Sequence, residues 1–489
     1  MKIIVDNNWS NVTFDSKDYS INRSIPKEIK EYFSVEVPNS YFIRRYRPNW
    51  DGMKHYFTPK GNIRTGLLPF LLEFIESNYP DIDIKFEDIR GNIPSFKENP
   101  INKFGKYVMD GQYEYQFELI KKYNNYLTYK NEKLYFPRGI INAATNAGKM
   151  IITAGIYFNF EGNNHMLILI DNKLLHQQLY EFYSELLGSV GIISAETIDI
   201  KNITIAMVKS FYNRINEGIL TKEQLNLFNI LVVDECHLAG AKTYEAIINK
   251  LNSPVRVFLS GTALDSESVI TRLNIISLSG KVMASINKVD LMKSNVSKKI
   301  KVFINYFKPT LDKPLLSYDD YYNDCIVFSR ERAALISSII SNYKDKMILI
   351  AVEQIYHGEY LEGYLNNVLK FIGYDFKVKF THANDPNKKQ IIEDFKNKKI
   401  NVLISTRIMK LGINIADIAV IIYALGGKSI INVKQWMGRG ERKSSSEEEL
   451  HFYDFYDDVK YLKTHSKKRI KMYKKEKLEV IFNFNIDEL

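Results

Sequence analysis

Two cysteines are too few for the frameworks that cysteines build. Cys236 and Cys325 are the whole complement of a 489-residue chain, which excludes a disulfide scaffold and a four-cysteine zinc site. Long apolar runs are missing as well. The longest, MLILI at 166–170 and AVIIYAL at 419–425, have the length of strands and cannot cross a bilayer. The opening MKIIVDNNWSNVTF lacks the apolar stretch of a secretory signal. No short tandem repeat and no low-complexity tract interrupts the chain. The expectation is a soluble, cytoplasmic protein with no membrane partner.

Acidic residues are outnumbered by basic ones, 57 to 67, giving a formal net charge of +10 and a pI near 9.0. A polyanion, with nucleic acid first, is the partner such a balance suits. The length fits two to four domains. Residues 1–95 begin with a strand-like MKIIVDN and continue through an aromatic and basic stretch, SYFIRRYRPNWDGMKHYFTPKGNIRTGLLPF. That stretch predicts a hairpin-rich sheet followed by a helix, hence a small α+β module. IRGNIPSFKENPINKFG, rich in Pro, Gly and Asn, reads as a linker. Residues 96–297 alternate short buried-type strands (GIINAA, HMLILID, ITIAMV, ILVVDE, VRVFLSG) with helical patterns, and 298–459 repeat the scheme with KMILIAV, FKVKFTH, NVLISTR, VIIYAL and HFYDFY. Such alternation implies two consecutive α/β layers, each a parallel sheet with crossover helices. Residues 460–489 form a basic helical tail; KYLKTHSKKRIKMYKKEK holds nine Lys or Arg and one Glu. It is either a solvated helix or one that touches phosphates.

Four short motifs carry chemistry. In the first, GIINAA runs into Thr145-Asn146-Ala147-Gly148-Lys149, and MIITAGIYF follows as a helix. Strand, loop and helix are the context of a phosphate-binding loop, whose amides face an anion at a helix N-terminus. Lys149 would reach the β and γ phosphates. Met150 stands where such loops carry a hydroxyl. The second, ILVVDECHLAG, ends a strand on Asp234, Glu235, Cys236 and His237. Acidic residues at the carboxyl edge of a parallel sheet sit where α/β folds bind ligands. Asp234 would hold Mg²⁺ through water, Glu235 would polarise the attacking water, and His237 would sense the γ-phosphate side. The third, FLSGTAL, places Ser260, Gly261 and Thr262 at another strand end, where small hydroxyl residues can link the nucleotide site to the rest of the molecule. In the fourth, VKQWMGRGERK, Gln435, Arg439 and Arg442 recur at helical spacing, with Arg439 and Arg442 on one face. Paired arginines there can stabilise γ-phosphate charge as arginine fingers do.

The order of these motifs resembles the superfamily 2 helicases and translocases. NWDG near 50, GLLPF near 66, DECHLA, His357-Gly358 and FYDFYDD narrow the resemblance to phage UvsW-like helicases over nearly the whole chain. The resemblance implies two RecA-like lobes that clamp ATP with Mg²⁺, the first supplying Lys149, Asp234 and Glu235 and the second Arg439 and Arg442. It implies Gln116 as the adenine reader, and Gly412 in STRIMKLGINI as a nucleotide contact. Ser405 and Thr406 of that motif, Gln178, and Arg44, Arg45 and Arg47 of the first module would contact nucleic acid, with Lys468 and Arg469 of the tail joining them. The activity implied is ATP-driven movement on DNA with remodelling of Holliday junctions, D-loops, R-loops and stalled forks. RNA–DNA hybrids are among its substrates, and phage recombination or replication proteins among its partners. Three departures stand out: Met150, Asp171-Asn172 where relatives carry Pro-Thr, and Gly440-Glu441 between the two arginines, where relatives carry apolar residues. Met150 leaves in play an ATP-binding annealing protein with feeble hydrolysis, and a third class is a motor subunit working with a separate nuclease.

Overall fold

The computed structural model describes residues 1–14, 19–311, 315–406, 417–443 and 448–484. It divides into two compact units: Met1–Ala144 with Gly148–Ile286, and Thr145–Ala147 with Asn287–Leu489.

The first unit starts with a four-stranded sheet in the order Asn62–Arg64, Trp9–Thr13, Lys2–Val5, Lys85–Asp88. Its first two pairings are antiparallel and the last is parallel. The helix Leu68–Asn78 buries Leu68, Leu71, Leu72 and Ile75 beneath it. The 40–70 stretch contributes more than hairpins, because Ser40–Arg44 is a short helix. Trp50 is only half-buried, and its indole donates to the Met53 carbonyl at 3.1 Å.

The large sheet of this unit holds β1 (Arg138–Ala143), β2 (Met166–Ile170), β3 (Gly191–Ile193), β4 (Ile198–Asp199), β5 (Ile203–Met207), β6 (Ile230–Asp234), β7 (Val255–Ser260) and β8 (Val282–Ile286). Their spatial order is β4-β3-β5-β2-β6-β7-β1-β8, parallel except where β3 meets β4. β2, β6 and β7 are buried along their whole length, as strands covered on both faces must be.

The small sheet shares a core with the hairpin Tyr126–Tyr129/Glu132–Tyr135 and the helix Val269–Ser279. Ile3, Leu67, Leu71 and Ile75 pack in one cluster with Leu127, Tyr129, Leu134 and Phe136, and Leu273 and Ile276 close its edge. Polar bonds fix the joint. Arg138 donates to the carbonyls of Asn7, Leu278 and Ser279 at 2.7–2.9 Å. Asn7 and Asn8 reach the Asn252 and Leu251 carbonyls at 2.9 and 3.1 Å. Tyr56 reaches Asn274 at 2.7 Å.

The second unit is a seven-stranded, wholly parallel sheet of β9 (Lys299–Phe307), β10 (Met347–Ala351), β11 (Val378–Thr381), β12 (Val402–Ser405), β13 (Ile418–Tyr423), β14 (Glu449–Asp457) and β15 (Glu479–Phe482). The order is β11-β12-β10-β13-β14-β9-β15. The basic tail belongs to this sheet. Its helix, Leu462–Lys475, buries Leu462, Ser466, Arg469, Met472 and Tyr473, and the chain then returns as β15, parallel to β9.

Candidate active site

β1 leads into the phosphate-loop segment and the helix α1 (Lys149–Asn159) follows it. Gly148, the residue before α1, has φ +76°, and a Cβ there would lie 2.3 Å from Gln116 Nε2. The backbone conformation thus favours glycine, and a side chain there would displace the Gln116 amide. The same contact puts Gln116, 2 % exposed on the helix Glu114–Lys121, against the loop turn.

The lysine that opens α1 faces the end of β6. Lys149 Nζ lies 3.0 Å from Glu235 Oε1 and 3.4 Å from Asp234 Oδ1. Burial lowers the lysine's proton affinity, but the two carboxylates outweigh it and hold the ammonium well above its ordinary pKa. Burial raises Glu235, yet Lys149 and His237 overcome that and keep it ionised, well below the usual carboxylate range. For Asp234 burial prevails over Lys149 and its pKa is raised. Glu235 has φ +49°, a left-handed conformation that a non-glycine residue adopts at a cost. Its amide donates to Asp234 Oδ1 at 2.9 Å.

Around the far side of Glu235 runs a ring of hydroxyls and imidazole. His237 Nδ1 lies 3.2 Å from Glu235 Oε2, 3.1 Å from Ser260 Oγ and 3.4 Å from Thr262 Oγ1. Ser260 donates to Glu235 Oε2 at 3.4 Å and accepts the Thr262 amide at 3.1 Å. Sheet register explains the meeting: Asp234 pairs with Leu259 across β6 and β7, and Ser260 with Asn142 across β7 and β1. Three motifs far apart in sequence therefore end on one carboxyl edge. A lysine held charged beside two carboxylates, under a loop of helix-N-terminal amides, fits a nucleoside triphosphate and its metal. Phosphate would take the lysine, and Asp234 would be left for Mg²⁺, whose pattern is one or two carboxylates plus water and phosphate oxygens.

Met150 is half-buried. Thr153, the first hydroxyl on α1, donates to the Lys149 carbonyl at 2.8 Å. Met150→Thr should therefore raise nucleic-acid-stimulated ATP turnover by about tenfold, roughly 1.4 kcal/mol of barrier. Steady-state rates across a Mg²⁺ titration check this; identical rates and midpoints for both proteins would show the hydroxyl to be dispensable.

In the second unit, helix α2 (Ile430–Gly440) carries Gln435 and Arg439, both half-buried, while Val433, Trp436 and Met437 fill the core. Arg442 follows, bridged through its backbone to Ser297. Glu441 is turned inward onto the Lys288 ammonium with 1 % exposure, so its charge is spent on a buried partner. Nothing in the local sequence pointed to Lys288, which lies 153 residues away.

The candidate nucleic-acid contacts divide. Arg45 lies 5.1 and 5.5 Å over the rings of Tyr41 and Phe42, and Arg44 donates to the Asp51 carbonyl. Arg47 is exposed, while Gln178 and Lys468 are half-buried. Arg469 is corrected: it is fully buried, with Nε and Nη2 on the two Asp454 oxygens at 2.8 and 3.0 Å and further bonds to the Gly426 and Gly427 carbonyls. Ser405 is corrected too, being fully buried with its hydroxyl on the Thr406 carbonyl at 3.1 Å; Thr406 itself is buried. Gly412 and Asn414 lie outside the described residues.

Residues 111–265 match the family model described as the type III restriction enzyme res subunit. Residues 331–444 match the helicase conserved C-terminal domain. The ATP-dependent DNA helicase uvsW of Enterobacteria phage T4 is 23 % identical over 520 aligned residues, covering 97 % of each protein. Among solved structures, the ATP-dependent Type ISP restriction-modification enzyme LlaBIII bound to DNA is similar with a TM-score of 0.54, at 14 % identity over 81 % of this chain and 33 % of that one. S. cerevisiae Dbp5 bound to RNA and ADP BeF3 is similar with a TM-score of 0.50, at 14 % identity over 75 % of this chain and 88 % of that one. Fold and motif order together define a two-lobed superfamily 2 helicase, an ATP-binding hydrolase that binds DNA. Within that superfamily the chain is UvsW-like, resembling the phage T4 helicase from end to end.

Proposed function

We propose that the protein couples ATP hydrolysis to movement along DNA and remodels branched DNA: junctions, D-loops, R-loops and forks. The observation that carries the reading is the Lys149–Glu235–Asp234 cluster tied through His237 and Ser260 to Thr262. Lys149 binds the β and γ phosphates, and the amides of Asn146 to Lys149 orient them. Asp234 would hold Mg²⁺, which when bound offsets phosphate charge. Glu235, ionised, takes the proton of the attacking water. His237 and Ser260 share the other oxygen of Glu235, so a change at the γ-phosphate reaches the end of β7. Gln116 reads the adenine, and Arg439 and Arg442 stabilise charge on the transferring phosphoryl group. Backbone phosphates are gripped without sequence preference, with Arg44, Arg45 and Arg47 the contacts of the first module. End-to-end likeness to a phage DNA helicase supports work in phage recombination, repair or replication, in the cytoplasm of a bacterial host.

Met150 favours one second reading, an ATP-binding annealing protein with feeble hydrolysis. DNA-stimulated turnover separates the two: fast, stimulated hydrolysis supports the motor, and tight ATP binding without turnover supports the annealing protein. Exposed Lys467, Lys471 and Lys474 share one face of the tail helix, and join Lys468 as the tail's candidates for phosphate contact. Changing all three to Ala should lower the slope of log affinity for DNA against log salt by about two to three. Equal slopes for the triple variant and the wild type would make this a merely solvated face.

A further inference from the structure

The two residues between Arg439 and Arg442 depart from the family pattern, and both shape the end of α2. Gly440 lets that end lie against the sheet. A Cβ there would fall 2.5 Å from a methyl of Leu450 on β14 and 3.1 Å from one of Ile421 on β13. Glu441 follows with 1 % exposure. A carboxylate so buried stays ionised only beside a cation. Lys288, 5 % exposed, supplies one, its ammonium meeting Glu441 Oε1.

Lys288 opens the short helix Lys288–Lys293, at the start of the long stretch of the second unit. Asn287 caps that helix by accepting the Asp290 amide at 3.0 Å, which fixes the place of Lys288. Three more bonds tie this segment to the arginine-bearing stretch. The Lys298 amide donates to the Glu441 carbonyl at 2.9 Å. Ser297 pairs with Arg442 through the backbone, and the Lys443 ammonium donates to Asn295 Oδ1. Residues 441, 442 and 443 are thus each held by one distant segment.

The Glu441 carboxylate acts on more than Lys288. Burial raises its pKa, while Lys288 and then Arg439 oppose the rise. Glu476 adds to it, but is itself paired with Lys434 of α2 at 2.8 Å. Two cations therefore share the field of one buried anion, and one of them is needed elsewhere. With Lys288 in place, the anion is neutralised and Arg439 stays available. Without Lys288, the carboxylate keeps its charge only by drawing on Arg439.

We propose that Lys288 is a positioning residue for phosphoryl transfer: by neutralising Glu441 and fastening the end of α2, it keeps Arg439 and Arg442 directed at the γ-phosphate. The proposal rests on the reading of those arginines as the groups that stabilise the transferring phosphoryl charge. Lys288 touches no reacting atom; it acts through them.

The test measures DNA-stimulated ATPase of the full chain, with kcat and KM for ATP separated, across a pH series. Lys288→Met should lower kcat by about 10- to 100-fold, as misplacement of a catalytic group does, and leave KM for ATP within about twofold, the signature of an interaction made in the transition state. Lys288→Met combined with Glu441→Gln should return kcat to within about threefold of wild type, because no unpaired carboxylate remains to draw on Arg439. The ratio of Lys288→Met to wild-type kcat should rise as pH falls, since protonated Glu441 releases the arginine. A purely structural pair would move none of these in that pattern. Lys288→Gln, which keeps a donor for Glu441 and lacks the charge, replaces Lys288→Met if the latter melts early, with the same direction expected. Undiminished kcat in the Lys288 variants, no recovery in the double variant, or a ratio indifferent to pH would overturn the proposal. Arg439→Ala, measured beside them, separates the two readings. Its loss of turnover upholds the arginine reading whatever Lys288 does, and its full turnover would sink that reading and this inference together.

Discussion

Glu235→Gln should bind ATP and fail to turn it over. The carboxylate is held ionised by Lys149 at 3.0 Å, so it can accept a proton as the attacking water is polarised. An amide cannot, and loss of a positioned general base typically costs about 10²–10⁴ in rate. Binding should survive because the substitution leaves Lys149 to meet the phosphates and Asp234 to hold Mg²⁺, and Gln at 235 can still accept from Ser260. Single-turnover hydrolysis beside equilibrium binding of a fluorescent ATP analogue measures both quantities. Turnover undiminished by the substitution would remove Glu235 from the catalytic role.

Removing residues 1–95 should unfold the first unit and not merely blunt substrate choice. Leu127, Tyr129, Leu134 and Phe136 are buried against that segment. Exposing four large apolar side chains costs roughly 6–12 kcal/mol, as much as a typical domain's whole stability. Arg138 would also lose the Asn7 carbonyl that its guanidinium meets at 2.8 Å. Thermal melting and limited proteolysis read the outcome: the truncated chain should melt without a cooperative transition and be cut within 127–136. A stable, proteolysis-resistant product would show that the segment is an independent module. Arg45→Ala with Arg47→Ala, both exposed, is the change that probes substrate choice while leaving the joint intact.

Much of this site was legible in the sequence, because the three motifs of the first unit sit at the ends of strands buried along nearly their whole length. GIINAA, ILVVDE and VRVFLSG are such runs, and their parallel order makes their ends converge. Lys299–Phe307 was harder to see. It alternates exposed and buried positions over its first half, and so lacks the continuous apolar run of its neighbours, although it lies between β14 and β15. The tail misled for a different reason. A run of lysines reads as surface, and Arg469 among them reads as one more surface cation. Its burial is dictated by Asp454 on β14, a partner 15 residues earlier, and by the period that places Leu462, Ser466, Arg469 and Tyr473 on one face. Ser405 likewise ends a strand as the other motifs do, but its hydroxyl is used by the adjacent carbonyl. Pairings across long separations, such as Lys288 with Glu441, leave no local periodicity to read.

The central claim is that the Lys149 cluster hydrolyses ATP under control of DNA. Steady-state ATPase of the wild-type chain and of Lys149→Ala, without nucleic acid and with single-stranded, duplex, forked and four-way DNA, tests it most directly. The account predicts wild-type turnover stimulated by DNA, most by the branched forms, and no turnover in Lys149→Ala with any of them. Wild-type turnover indifferent to DNA, or equal turnover in Lys149→Ala, would contradict it.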